Sequence, residues 1–206
     1  MSTQSLPPEY FEGVYRDSDD PWGFRTRWYE QRKYALTLAS LPRPRYRRGL
    51  EPGCSVGVLT EMLAARCDDV VATDVVDSVL ARTRNRLRDL TNVDMRRWSL
   101  GAPWTDLGTF DLVVLSEVAY YLDADALRSA LADVVSHLEP GGTVVCVHWH
   151  RSTDYPLSGA TVHDIVRATP GLVALSVYRD ADFVIDVLAR DDGDTRSVAQ
   201  REGIAG

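Results

Sequence analysis

The feature that most constrains this chain is a repeated switch between two hydrophobic periods. Short apolar runs such as "DVVATD", "FDLVVL" and "TVVCVHW" alternate with stretches such as "VLTEMLAARC" and "VVDSVLARTRNRLRDL" that carry apolar residues at helical spacing. Strands are expected near residues 47–52, 69–74, 93–98, 110–115, 143–149, 172–178 and 182–189. Helices are expected at 58–67, 75–90, 125–138 and 159–168, the third closing at "EPGG" as a helix stop. Strict alternation implies an α/β fold with a doubly wound, mostly parallel seven-stranded sheet. The last two runs alternate and lie close together, so an antiparallel strand is expected at the C-terminal end. Ligands of such sheets bind beyond the carboxyl ends of the strands. Those ends fall at residues 51–57, Asp74, Trp98 and Ser99, Ser116 and Glu117, and residues 148–150.

Ahead of the alternation, residues 25–41 read as a helix with Trp28, Arg32 and Ala35 on one face, ended by the prolines of "LPRPRYRR". Residues 1–44 are therefore expected to form an N-terminal helical cap, 45–190 the α/β domain and 191–206 a mobile tail. No apolar run reaches the roughly 18 residues of a membrane span, and the N-terminus lacks a signal-peptide core. Three cysteines, an odd number without C-x-x-C spacing, favour a reducing cytoplasm over a disulfide framework. A net charge of −7 opposes general nucleic-acid binding. Two arginine-rich runs, "RPRYRR" and "RTRNRLRDL", read either as solvated faces or as a site for an anionic group.

The stretch "EPGCSVG" at residues 51–57 has two readings. Gly53-Cys54-Ser55-Val56-Gly57 fits the G-x-S-x-G elbow of serine hydrolases, but no glycine-rich oxyanion loop precedes it. Alternatively, Glu51 ends the first strand, and Gly53 and Gly57 let the backbone turn sharply against a ligand. Asp74 ends the second strand 17 residues after Gly57, where a carboxylate can accept hydrogen bonds from both ribose hydroxyls. An acid just before the first glycine is a poor neighbour for pyrophosphate and suits a cofactor with a cationic end.

These residues resemble the class I S-adenosylmethionine-dependent methyltransferases, with Ser55 at the middle glycine of an acid–Gly-x-Gly-x-Gly motif, "FDLVVLSEVAYYL" as the fourth-strand segment and "LEPGGTVV" as the following turn. The resemblance covers about residues 45–190 and implies a Rossmann-like methyltransferase fold. "DPWGFRTRWYEQRK" with "SEVAYYL" is similar more narrowly to the NodS-like group, whose members N-methylate chitooligosaccharide amines. The resemblance implies S-adenosylmethionine as cofactor and a small amine, such as an amino sugar or glycoside, as acceptor. O-methylation and cofactor binding without turnover are the alternatives.

Carried over by position, the resemblance implies that Glu51, Gly53, Cys54, Ser55 and Gly57 wrap the methionyl part. Asp74 and Val75 would take the ribose, Trp98 and Ser99 the adenine, and Ser116 and Glu117 the methionyl group and substrate. Trp22 and Arg32 would close over the cofactor, Arg32 pairing its carboxylate. Glu117 and His148 are the candidate catalytic groups, and Tyr120, Tyr121, Trp149, His150 and Tyr155 the candidate acceptor pocket. His148, His150 and Asp154 have the spacing of a metal trio, but methyl transfer to an amine needs no metal and none is expected.

Overall fold

The computed structural model describes residues 4–193 and 196–205. The parts of the cap and tail expectations that fall on residues 1–3, 194, 195 and 206 lie outside the described residues. The chain runs α1 (Pro8–Asp17), α2 (Trp28–Ser40), β1 (Tyr46–Pro52), α3 (Val58–Ala64), β2 (Cys67–Asp74), α4 (Asp77–Arg86) and β3 (Val93–Arg97). It continues through β4 (Phe110–Ser116), a 3-10 turn (Ala119–Tyr121), α5 (Ala124–His137), β5 (Leu138–Trp149), α6 (Gly159–Arg167), β6 (Leu172–Arg179), β7 (Phe183–Arg190) and α7 (Val198–Arg201).

The seven strands form one sheet in the order β3-β2-β1-β4-β5-β7-β6. β1 through β5 pair in parallel, and β7 runs antiparallel to both β5 and β6. From β1 the chain winds outward through β2 to β3, then returns to β4 on the other side of β1. The loops leaving β1 and β4 therefore part, and a crevice opens at the carboxyl ends of these two strands. α2, α3 and α4 cover one face through Tyr34, Leu38, Leu59, Leu63 and Leu80. α5 and α6 cover the other through Leu127, Leu131, Val134, Val162 and Val166. Every residue of β4 from Phe110 to Leu115 is buried, so the strand that ends at the crevice is among the best anchored.

Four features differ from the sequence reading. α1 was not expected; Pro8 opens it, and Phe11 and Tyr15, one turn apart, turn its apolar side inward. The buried face of α2 is Glu30, Lys33, Tyr34, Thr37 and Leu38, whereas Trp28 is 73% exposed. "EPGG" is not a helix stop: α5 ends at His137 and β5 begins at once. Phe110 pairs with Leu138 and Leu112 with Thr143, five steps along β5 against two along β4, so these residues form an irregularity in the strand. Within the expected tail, Ser197 and Gln200 close a capping box on α7.

The two arginine runs lie at the surface and pair with groups of the same chain. Arg43 donates to Gly141 O, Arg45 pairs with Asp68, Arg47 with Glu139, and Arg48 donates to Leu107 O. Arg82 pairs with Asp19, Arg84 donates to Met95 O, and Arg86 holds Val56 O, Gly57 O and Glu61. They act as struts between loops and strand ends. Among the described residues no helix is long and apolar enough to cross a membrane.

Candidate active site

A cavity of about 450 Å³ opens where the crevice predicts, roofed by α1, the segment after it and the start of α2. Its floor begins with the loop after β1. Gly53, Ser55 and Gly57 all have left-handed φ, at 71°, 49° and 74°. A serine there is uncommon, and three bonds hold it. Its N–H donates to Asp74 Oδ2 at 3.0 Å, its carbonyl accepts from the Thr83 hydroxyl at 2.8 Å, and its Oγ accepts from the Tyr15 hydroxyl at 2.5 Å. None of the four histidines bonds to Ser55. An elbow nucleophile needs such a base, so the hydrolase reading fails on geometry.

Two acids border this loop. Glu51, 3% exposed, accepts from the Thr60 hydroxyl at 2.6 Å. Burial, aided by Asp74, pushes its carboxyl up to about 8. Asp74 ends β2 and accepts from the N–H groups of Ser55 and Val76, both at 3.0 Å. Burial raises its pKa as well, and the donated N–H groups limit the rise. Beside Asp74, Val75, Trp98 and Ser99 line the cavity. Trp98 is held by donating its indole N–H to Pro103 O and by edge contact with Trp104.

The far end is built around Glu117, whose φ of 55° turns the chain out of β4. Its Oε1 meets Lys33 Nζ at 2.6 Å; its Oε2 accepts from the Tyr120 hydroxyl at 2.5 Å and the Trp149 N–H at 3.1 Å. Lys33, 1% exposed, also lies 2.9 Å from Glu30. Burial alone would lower its pKa, but Glu117 and Glu30 outweigh it and the net direction is up, so the ammonium is retained. Tyr120 stacks on Tyr155 at 4.9 Å, Tyr121 meets Tyr155 edge-on, and Trp149 meets Tyr29 edge-on. Tyr29 Oη is buried in the wall without a hydrogen-bond partner.

Of the residues expected at the site, the cavity brings together Trp22, Glu51, Gly53, Cys54, Ser55, Asp74, Val75, Trp98, Ser99, Ser116, Glu117, Tyr120, Tyr121, Trp149 and Tyr155. Four lie elsewhere. Gly57 caps α3 and packs against α4, where an added Cβ would meet Thr83 Cγ2 at 2.5 Å. Arg32 points to the sheet edge, bonded to Asp180 and Tyr178 at 2.6 Å each. His150 pairs with Arg179. His148 is fully buried beneath the turn after Glu117, which rules out direct contact with the reacting atoms. His148 and His150 thus do not converge with Asp154, and no metal-holding group of three or more His, Cys, Asp or Glu occurs among the described residues. The sequence reading missed Tyr15, Tyr29, Glu30 and Lys33. The signal present was "YEQRKY", with Glu30 and Lys33 at helical i, i+3 spacing.

The strand order, the left-handed loop after β1 and the acid ending β2 define a Rossmann-like fold of the methyltransferase type. The chain belongs to the nodulation protein S (NodS) family, whose model matches residues 14–151. It is 36% identical over 135 residues to nodulation protein S of Sinorhizobium fredii (strain NBRC 101917 / NGR234), covering 62% of this chain and 60% of that one. A dTDP-3-amino-3,4,6-trideoxy-alpha-D-glucopyranose N,N-dimethyltransferase of Streptomyces venezuelae is 30% identical over 127 residues, 61% of this chain and 52% of that one. The structure of N-methyltransferase NodS from Bradyrhizobium japonicum WM9, in complex with S-adenosyl-l-homocysteine, superposes with a TM-score of 0.78 at 25% identity, covering 87% of this chain and 97% of that one. The chain spans about three-fifths of the length of the curated relatives it matches first.

Proposed function

We propose that this chain is an S-adenosylmethionine-dependent N-methyltransferase of a small amine, with an amino sugar as the acceptor class. The observation that carries the reading is Asp74. It is a buried carboxylate on the cavity floor whose two oxygens each take one backbone N–H and keep lone pairs for a diol. Glu51, buried beside it without a direct ion-pair partner, suits the cationic end of the same cofactor. Further support comes from the S-adenosyl-l-homocysteine complex of the Bradyrhizobium protein and from the amino-sugar substrate in the name of the Streptomyces relative.

When bound, the cofactor supplies a methyl group on a sulfonium, which is electrophilic without help from the protein. The chain's own residues then have three tasks. Glu51, Asp74 and the loop of Gly53 to Ser55 hold the cofactor along the floor. Trp22, Phe24 and Tyr15 roof it and exclude water. Tyr120, Tyr121, Tyr155 and Trp149 give the acceptor apolar ring faces. Glu117 is bonded to Lys33, Tyr120 and Trp149, so its role is to anchor the acceptor end and orient the Tyr120 hydroxyl. Three cysteines, an odd number without C-x-x-C spacing, point to a reducing cytoplasm as the compartment of the chain.

Calorimetry with S-adenosylhomocysteine tests the cofactor half: absence of binding sinks the reading. Transfer of labelled methyl from S-adenosylmethionine across a panel of amines, amino sugars and matched alcohols tests the acceptor half. Labelling confined to the alcohols would overturn N-methylation.

A further inference from the structure

Beneath the turn that carries Tyr120, a chain of side chains runs away from the cavity. The Ala119 N–H donates to His148 Nε2 at 3.2 Å. His148 Nδ1 lies 3.3 Å from His163 Nε2 on α6. His163 Nδ1 lies 2.7 Å from Asp186 Oδ2 on β7, and the same oxygen is 2.8 Å from Arg167 Nε. His148, His163 and Asp186 are all buried, and none of the four side chains lines the cavity.

The direction of every proton in this chain is forced. An amide N–H can only donate, so His148 Nε2 is bare. A neutral imidazole then carries its proton on Nδ1 and donates it to His163 Nε2. That leaves the His163 proton on Nδ1, facing a carboxylate that only accepts. Burial, with the Lys33 charge, holds the His148 pKa well below the ordinary imidazole value, which keeps the ring neutral. The Asp186 charge polarises both rings in the same sense and makes His148 Nε2 a better acceptor.

The far end of the chain matters for the site. Ala119 is fully buried, and its N–H has no other acceptor there. It opens the 3-10 turn whose next residue, Tyr120, meets the His148 ring edge-on at 5.2 Å and reaches Glu117 with its hydroxyl. We propose that Arg167, Asp186, His163 and His148 form a positioning chain. By fixing the His148 tautomer it holds the Ala119–Tyr121 turn and keeps the Tyr120 hydroxyl on Glu117 at the acceptor end of the cavity. Its effect on catalysis rests on the methyltransferase reading; its effect on the turn does not.

Two measurements test the chain. Nitrogen-15 NMR of histidine in the intact protein reads the tautomers directly. Both His148 and His163 are expected neutral with the proton on Nδ1; a proton on His148 Nε2 overturns the proposal. The second compares His148→Gln, which restores an acceptor near the Nε2 position, with His148→Leu, which offers none. The Tyr120 hydroxyl proton, shifted downfield and protected by its bond to Glu117, is expected in the wild type and in His148→Gln and is lost in His148→Leu.

For methyl transfer to glucosamine, kcat falls by about tenfold or more in His148→Leu and stays within about threefold in His148→Gln, while S-adenosylhomocysteine affinity stays within about twofold in both. Equal losses in the two variants, or an unimpaired leucine variant, overturn the proposal. Should His148→Leu fail to fold, Asp186→Asn decides: both imidazole signals are expected to shift together, and a change confined to His163 overturns it. A wild-type protein that binds S-adenosylhomocysteine yet methylates no amine defeats the proposed function, and the tautomer and hydroxyl signals still decide the chain.

Discussion

Lys33 on α2 and Glu117 at the end of β4 meet at 2.6 Å, and this contact joins the N-terminal cap to the strand beside the crevice. Glu30 lies on the other side of the ammonium at 2.9 Å, so one buried cation separates two carboxylates. Removing the cation leaves two like charges buried together. Lys33→Met is expected to destabilise the protein by about 3–5 kcal/mol, the cost of breaking a buried pair on one side. Thermal or denaturant unfolding reads it. Adding Glu117→Gln to Lys33→Met should restore part of the loss, and simple additivity of the two changes would show that they are not coupled.

Asp74 is expected to dominate cofactor affinity. Asp74→Ala removes the acceptor for the Ser55 and Val76 N–H groups together with the proposed ribose contacts. Binding of S-adenosylhomocysteine should weaken by at least ~1 kcal/mol, the scale of a lost hydrogen bond. Calorimetry measures it, and unchanged affinity counts against the ribose assignment.

Ser55 tests whether the loop is needed for its backbone or its hydroxyl. At φ 49° a glycine carries no steric cost. Ser55→Gly and Ser55→Ala should keep much of the methyl-transfer activity, losing about 1 kcal/mol or less with the Tyr15 hydrogen bond. Ser55→Val should lose cofactor binding, because a β-branched residue resists a left-handed φ. A valine variant that binds like the wild type would show that the strained loop is not what shapes the floor.

Glu51 gives the fold a defined pH response. Its carboxyl titrates near 8 in the folded protein against an ordinary 4.5. The folded chain therefore keeps a proton that the unfolded chain releases between those values. The stability this group contributes is complete below about 4.5, falls as pH rises, and stops falling above about 8. Denaturation midpoints from pH 4 to 9 should decline less in Glu51→Gln than in the wild type, and parallel curves would contradict the assignment. A cationic cofactor beside Glu51 should draw that proton off. Calorimetry with S-adenosylmethionine at pH 7 in two buffers of different ionisation enthalpy should report proton release, absent in Glu51→Gln.

The sheet and the cavity floor were readable because their requirements are local. A strand buried on both faces needs a continuous apolar run, as "FDLVVL" does, and a backbone that turns against a ligand needs glycines or a small residue between two strand-end acids. The cap was less readable, because the side of α2 that is buried carries Glu30, Lys33 and Thr37. A search for an apolar stripe picks out Trp28 and Ala35 instead. Arg32 and Lys33 are adjacent in sequence but about 100° apart around a helix, so one faces the sheet edge and the other the cavity. His148 was misjudged because strand-end position identifies neither the turn packed over it nor His163, which comes from α6 15 residues later.

The roof of the cavity is translated before anything it will rest on. Tyr15 has to wait 40 residues for Ser55, and Lys33 has to wait 84 for Glu117. During synthesis the cap therefore emerges with Lys33 paired to Glu30 alone, Tyr15 gains Ser55 once the loop after β1 is made, and the second carboxylate of Lys33 arrives only with β4. The cavity cannot close before β4 and Glu117 have been made. A protease acting on the nascent chain meets the cap as an open segment, and the same segment is closed to it once Lys33 has docked.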